Sequence, residues 1–206
     1  MLEMVADLSL SQYDRGEMVL WERESCDGLC IVRRGSVKLF KLSPQGRELI
    51  IKVFSEGDSF NEVPTFDGGV NPVSIAALEQ CEIWNVDAEA IRSSILKHAE
   101  VAQTTILNLS QNLRMLVTKI EELSFYQVTN RLARLINTLD QERLLNDHQQ
   151  SLTNDDMAAR LGTVREVVGR SLKELERSGA ILVNRRKIEI ANENRLLEWP
   201  RLPCED

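Results

Sequence analysis

"SLTNDDMAARLGTVREVVGRSLKELERSGAI", residues 151–181, decides how the last third of this chain folds. Thr153 or Asn154 can cap a helix containing "DDMAARL", and the acids of its first turn suit the positive end of a helix dipole. Met157, Ala158 and Leu161 supply its apolar side, and the small Ala158 lets a second helix approach closely. Gly162 falls where a tight turn needs a residue free to take positive φ. The second helix, about 164–177, buries Val167 or Val168 with Leu172 and Leu175. That leaves Arg165, Glu166, Gly169 and Arg170 on the opposite side, near its N-terminus.

Two helices around such a turn form a helix-turn-helix, whose second helix presents this region to the major groove of DNA. The side chains fit that position. An arginine can fork two donors onto guanine O6 and N7, and a glutamate can accept from cytosine N4. Glu166 and Arg170, four apart, can also pair and hold each other's orientation. Beyond the helices, "AILVNRRKIEIAN" reads as two β-like runs around a polar, basic turn, the mark of a winged helix-turn-helix. Residues 160–187 hold eight cations against three acids, the most basic stretch of a chain whose net charge is −7. Residues 1–124 carry that whole excess, with 12 Lys and Arg against 19 Asp and Glu. A local cationic surface survives an acidic average, and it can face phosphates.

Upstream, "SFYQVTNRLARLINTLDQE" (124–142) is an amphipathic helix with Val128, Leu132, Leu135, Ile136 and Leu139 on one face. Before it, a long helical stretch at 99–124 carries Leu109, Leu113, Leu116, Ile120 and Leu123 in steps of four and three. This narrow seam can be buried in its own domain or paired with a second copy; the rest of the chain favours a coiled-coil dimer. "DAEAIRSSILKH" reads as a short helix capped by Asp87. Ahead of it the pattern is β-like. "EMVLWE", "GLCIVRRGSVKLFKLS", "RELIIKVFS" and "CEIWNVD" are punctuated by glycines, and Gly35, Gly46 and Gly57 recur every eleven residues, the turn spacing of a sandwich or roll.

No apolar run approaches the roughly 18 residues of a membrane span, and the N-terminus lacks a signal-peptide pattern, so the expected location is the cytoplasm. The chain has no P-loop, no dinucleotide fingerprint, no zinc-spaced ligand cluster and no nucleophile with a base, so neither catalytic nor metal residues are assigned. Cys26, Cys30, Cys81 and Cys204 are too few and scattered for a disulfide framework.

"GTVREVVGRSLKELERSGAI" resembles the DNA-binding segment of the Crp/Fnr family, and R-E-x-x-G-R at 165–170 is its Crp-type form. Gly169 stands where Fnr-type members tend to carry Ser. The resemblance covers nearly the whole chain, "LSFYQVTNRLARLI" included. It implies an α+β protein: an N-terminal cyclic-nucleotide-binding-like β-roll at 1–98, a dimerisation helix at 99–124, and a C-terminal winged helix-turn-helix at 125–206. The implied function is a homodimeric, sequence-specific transcription regulator that answers to a small-molecule effector or to none. Its partners would be double-stranded DNA and RNA polymerase. Carried over by position, Arg165, Glu166 and Arg170 would read bases in TGTGA-like half-sites related by a dyad. Arg186 in the wing would contact phosphate, helped by Arg185 and Lys187, with Thr153 and Lys173 as further backbone contacts.

The resemblance also places a sensor loop at "FNEVPTFDGGVNPVS", residues 60–74. In cyclic-AMP-binding members a Gly-Glu pair takes the ribose, and an Arg about ten residues later neutralises the phosphate. Here Asn61 replaces the Gly and Glu62 is retained, while Pro72 and Val73 stand where Arg and Ser or Thr belong, ahead of Ser74. An anion in a half-buried pocket without a guanidinium loses its strongest partner, so cyclic AMP is not the expected ligand. An Fnr-type iron–sulfur cluster would draw on Cys26, Cys30 and Cys81 at unfamiliar spacing; small core cysteines are the expectation. Haem would need an axial ligand, and neither His98 nor His148 sits in an obvious apolar pocket, although Met or Cys ligation stays open. The effector is left open between haem with a gas, another small molecule and none.

Overall fold

The structure, a computed structural model, describes residues 8–25, 27–141, 152–184 and 187–199. The chain divides into two compact units, one drawn from the part up to Met115 and one from Leu116 onward together with Ser43–Leu49. Among the described residues no helix is long and apolar enough to cross a membrane.

The first unit is built on two four-stranded sheets. One runs β1 (Leu8–Tyr13), β8 (Cys81–Asp87), β3 (Gly28–Arg34), β6 (Ser59–Phe60); the other runs β2 (Met18–Leu20), β7 (Ser74–Ala77), β4 (Val37–Leu42), β5 (Glu48–Phe54). Strands rich in Val, Ile, Leu and Phe bury what they present inward. Val32, Val37, Phe60, Ile75 and Ile83 are at most 1% exposed, and the Phe54 and Phe60 rings meet at 5.5 Å. A smaller cluster of Leu29, Val86 and Ile91, with Ile31, Phe66 and Val101 against it, seats α1 (Glu62–Asp67) and α2 (Ala88–Lys97). Asp87 caps α2 as the sequence suggests, its Oδ1 accepting from the Glu89 and Ala90 amides.

Two expectations shift in detail. The segment 60–74 is not one continuous loop, because Glu62–Asp67 closes into a short helix. Pro64 does not prevent this, since the first-turn amides of a helix have no intrahelical partner to lose. The helix expected at 124–142 is likewise interrupted: α3 (Ala99–Phe125) ends at Phe125 and α4 (Val128–Gln141) begins at Val128. Arg134 braces this elbow. Its guanidinium lies 4.1 Å from the Tyr126 ring centroid and 3.1 Å from Glu122 Oε1, so one α4 side chain holds the last turn of α3.

The second unit contains the end of α3, then α4, α5 (Asn154–Leu161), α6 (Arg165–Arg177), the hairpin of β9 (Ile181–Asn184) and β10 (Lys187–Ile190), and α7 (Glu193–Glu198). Leu132, Ile136, Val168, Leu175, Ile181 and Leu196 are fully buried in one core. α3 buries no residue in the single chain.

One backbone site tests the first unit. Gly35 joins β3 to β4 at φ +82°, and a Cβ there would lie 2.7 Å from Gln80 O and 2.8 Å from Cys81 Cβ. Gly35→Ala should therefore cost roughly 2 kcal/mol in urea unfolding of the full chain, from positive φ and overlap together. An unchanged midpoint would show that the turn relaxes at no cost.

Candidate nucleic-acid interface and sensor loop

The helix-turn-helix is assembled by local rules. Thr153 takes the N-cap of α5 in a capping box: its Oγ1 accepts from the Asp156 amide, and Asp156 Oδ2 accepts from the Thr153 amide at 2.9 Å. Its hydroxyl also reaches Asp156 Oδ2 at 2.7 Å, so this expected phosphate contact is already engaged inside the helix end. Gly162 ends α5 at φ 63°, the left-handed conformation the turn requires, and Thr163 N donates to Ala158 O at 3.0 Å. α6 then starts from Val164, whose side chain offers no cap.

On α6 the buried positions are Val168, Ser171, Leu172 and Leu175, which places Val168 rather than Val167 in the core. At 100° per residue, burial of that stripe turns Glu166, Arg170, Lys173 and Arg177 outward, and all four are exposed. Arg165 is exposed on the flank, its Nη1 3.4 Å from Asp155 Oδ2. With both side chains about two-thirds exposed (64% and 68%), this pair is a weak restraint that a base or phosphate can displace. The Glu166–Arg170 pair that the spacing permits does not form, and both side chains are exposed. Gly169 is not demanded by packing, since a Cβ there would meet only Asn154 Nδ2 at 3.9 Å. Lys187 is exposed at the start of β10, opposite Asn184 in the hairpin. Arg185 and Arg186 lie outside the described residues.

The candidate sensor segment, 60–74, is fastened by polar contacts to the elements around it. Asn61 adopts φ 73° and donates from Nδ2 to Gly28 O at 2.9 Å. Glu62 is 6% exposed and its Oε1 accepts from Ser59 Oγ at 2.6 Å, while Asn108 of α3 donates to Ser59 Oγ at 3.3 Å. Asn71 is 1% exposed; it donates from Nδ2 to Trp21 O at 3.1 Å, and its Oδ1 is buried without a hydrogen-bond partner among the described residues. Ser74 Oγ accepts from Glu22 N at 3.0 Å. Pro72 is exposed, Val73 half-buried.

The cation missing from this segment arrives from another strand. Lys41 of β4 donates to Pro72 O at 2.9 Å and to Glu22 Oε1 at 2.7 Å. Periodicity could not reveal this, because 31 residues separate Lys41 from Pro72 and only sheet pairing brings them together. Its charge is already shared with Glu22.

Cys30 and Cys81 are free and buried; Cys30 Sγ donates to Asn85 Oδ1 at 3.5 Å. Burial, with Glu79 and Glu17 nearby, pushes the Cys81 thiol up to about 11, so its reactive thiolate is scarce at neutral pH. Cys26, Cys204 and His148 lie outside the described residues. His98 is exposed at the C-cap of α2. Among the described residues no three His, Cys, Asp or Glu side chains gather where a metal could sit.

Known proteins share this arrangement. Residues 10–98 match the family model of the cyclic nucleotide-binding domain, and residues 130–199 that of the Crp-like helix-turn-helix domain. The chain is 28% identical over 198 residues to a CRP-like cAMP-activated global transcriptional regulator of Mycobacterium tuberculosis, spanning 92% of this chain and 87% of that one. It is also 28% identical over 189 residues to the cAMP-activated global transcriptional regulator Vfr of Pseudomonas aeruginosa, with 88% of each covered. In fold it is similar to the c-di-GMP responsive global regulator CLP of Xanthomonas campestris, with TM-score 0.81 at 23% identity over 93% of this chain and 98% of that chain. With a β-roll of the nucleotide-binding type, a long helix and a Crp-like helix-turn-helix in one order, the chain belongs to the Crp/Fnr family of DNA-binding transcription regulators.

Proposed function

We propose that this protein is a cytoplasmic, homodimeric regulator that reads TGTGA-like palindromic half-sites and does not take cyclic AMP as its effector. The observation that carries the DNA reading is the outward stripe of α6: Glu166 and Arg170 stand exposed on one face, Arg165 beside them, over a buried apolar stripe. Arg165 and Arg170 are assigned to guanine edges and Glu166 to cytosine N4. Lys173 and Lys187, with Arg185 and Arg186 of the wing, are assigned to phosphates, and Thr153 to the backbone through its helix end. RNA polymerase is the expected protein partner. No catalytic residues are assigned.

The seam of α3 supports the dimer. Leu113 and Ile120 are each 64% exposed, and Leu109, Leu116 and Leu123 lie between 36% and 44%. A row of five such residues in water is unfavourable by about 25 cal/mol per Å² and is relieved by a second copy of the same helix. A two-fold dimer carries two α6 helices and so matches a palindrome.

The relatives' activation by cAMP is not carried over. Pro72 occupies the arginine position, its carbonyl engaged by Lys41, and Glu22 shares that ammonium. Asn61, Glu62, Pro72, Val73 and Ser74 are the candidates to line an effector site for a ligand less dependent on a guanidinium.

An electrophoretic shift with a palindromic TGTGA duplex tests the reading at low salt; unchanged mobility at micromolar dimer with every candidate effector would sink it. Substituting Arg165 or Arg170 by Ala should cost roughly 1–3 kcal/mol at the cognate base and relax preference there. Equal losses on specific and random duplexes would mean contact with phosphate alone. Leu113→Glu combined with Leu116→Glu should give monomers in sedimentation; a persistent dimer would refute the seam.

A further inference from the structure

The α4–α6 contact is almost wholly apolar, with Leu132 and Ile136 on one side and Val168, Leu172 and Leu175 on the other. One polar chain crosses it. Thr129, in the first turn of α4, is 6% exposed, and Ser171 of α6 is 4% exposed. Thr129 Oγ1 lies 2.9 Å from Ser171 Oγ and 2.8 Å from Glu174 Oε2. The threonine hydroxyl has one proton, which a carboxylate attracts more strongly than a second hydroxyl; Ser171 can then return its own proton to Thr129 Oγ1. The Glu174 carboxylate also sits at the N-terminal end of α4, where the helix dipole favours a negative charge.

Apolar contacts hold two helices together but tolerate some rotation of one about its axis. Hydrogen bonds do not, because they weaken steeply off their geometry. Ser171 and Glu174, three residues apart, share one side of α6, so a single Thr129 hydroxyl touching both pins one roll of the helix. The base-facing side chains turn rigidly with that roll. A rotation of roughly 20° moves side chains at a radius of about 6 Å by about 2 Å, more than a bidentate base contact tolerates. Leaving the buried Thr129 hydroxyl unbonded resists such a roll.

We propose that the Thr129–Ser171–Glu174 chain is a positioning device for base recognition, fixing the roll of α6 so that Arg165, Glu166 and Arg170 meet their bases together. It rests on the reading of α6 as the recognition helix. Thr129 and Ser171 touch no base themselves and act through the helix they orient.

Binding of the full-length protein to a TGTGA palindrome and to a scrambled duplex of equal composition, at one salt concentration, tests this. Thr129→Val keeps the side-chain shape and removes the hydroxyl. It should weaken specific binding about 5- to 10-fold and leave scrambled binding unchanged. Thr129→Ser should keep the wild-type ratio. Thr129→Val with Ser171→Ala should be no worse than Thr129→Val alone, since both break one chain. Should Thr129→Val fail to fold, Ser171→Ala combined with Glu174→Ala, which removes both partners of the Thr129 hydroxyl, carries the test with the same expected loss. A selective wild type with equally selective folded variants, or equal losses on both duplexes, overturns the positioning role and leaves the DNA reading standing. A wild type that does not discriminate overturns both.

Discussion

One packing contact underlies the DNA-binding unit: the apolar stripe of α6 buried against α4. Val168, Leu172 and Leu175 recur at helical spacing, and they find fully buried Leu132 and Ile136 opposite them. A helix has one azimuth per residue, so burying that stripe also decides which side chains face outward. Each fully buried aliphatic side chain contributes about 1.5–3 kcal/mol, whereas an exposed arginine or glutamate contributes little to stability. The outward stripe, the one proposed to face bases, is therefore held in place by residues buried on the other side of the helix.

The sensor unit follows the same logic, with a different outcome at its site. Its two sheets bury Val32, Val37, Phe60 and Ile83, and the segment between β6 and β7 is fastened by polar contacts in addition to Phe66 in the smaller apolar cluster. Glu62 accepts from Ser59, and Lys41 reaches both Pro72 and Glu22. At Pro72 this segment presents a backbone carbonyl, and the Lys41 ammonium that reaches it is already shared with Glu22. The Ser59–Asn108 contact gives this segment a direct link to α3 inside the first unit. Any ligand seated there can influence α3 only by binding one arrangement of that link more tightly than another.

The long helix supplies the remaining constraint. α3 has apolar residues at heptad spacing and yet buries none of them in the single chain. A stripe this narrow covers too little of the helix to serve as the face of an ordinary core helix, and it suits a second helix packed along its length. Arg134 then fixes where α3 stops and α4 begins, through Glu122 and Tyr126.

Much of this was legible in the residues themselves. The helix-turn-helix follows from Thr153, Gly162 and the spacing of Val168, Leu172 and Leu175, because caps, turns and amphipathic faces depend on neighbours within a few positions. The glycine-punctuated strands and the heptad row of α3 are local in the same sense. The elbow at Tyr126–Gln127, the Lys41–Pro72 contact and the Thr129–Ser171–Glu174 chain could not be read this way. Their partners stand between 8 and 45 residues apart and meet only once sheets pair and helices pack. The Glu166–Arg170 spacing permits a pair, yet both side chains stand exposed and no such pair forms. Local chemistry therefore sets which elements form and which face each one buries, while only tertiary packing decides which distant polar groups share a hydrogen bond, since that requires closing the long loops between them.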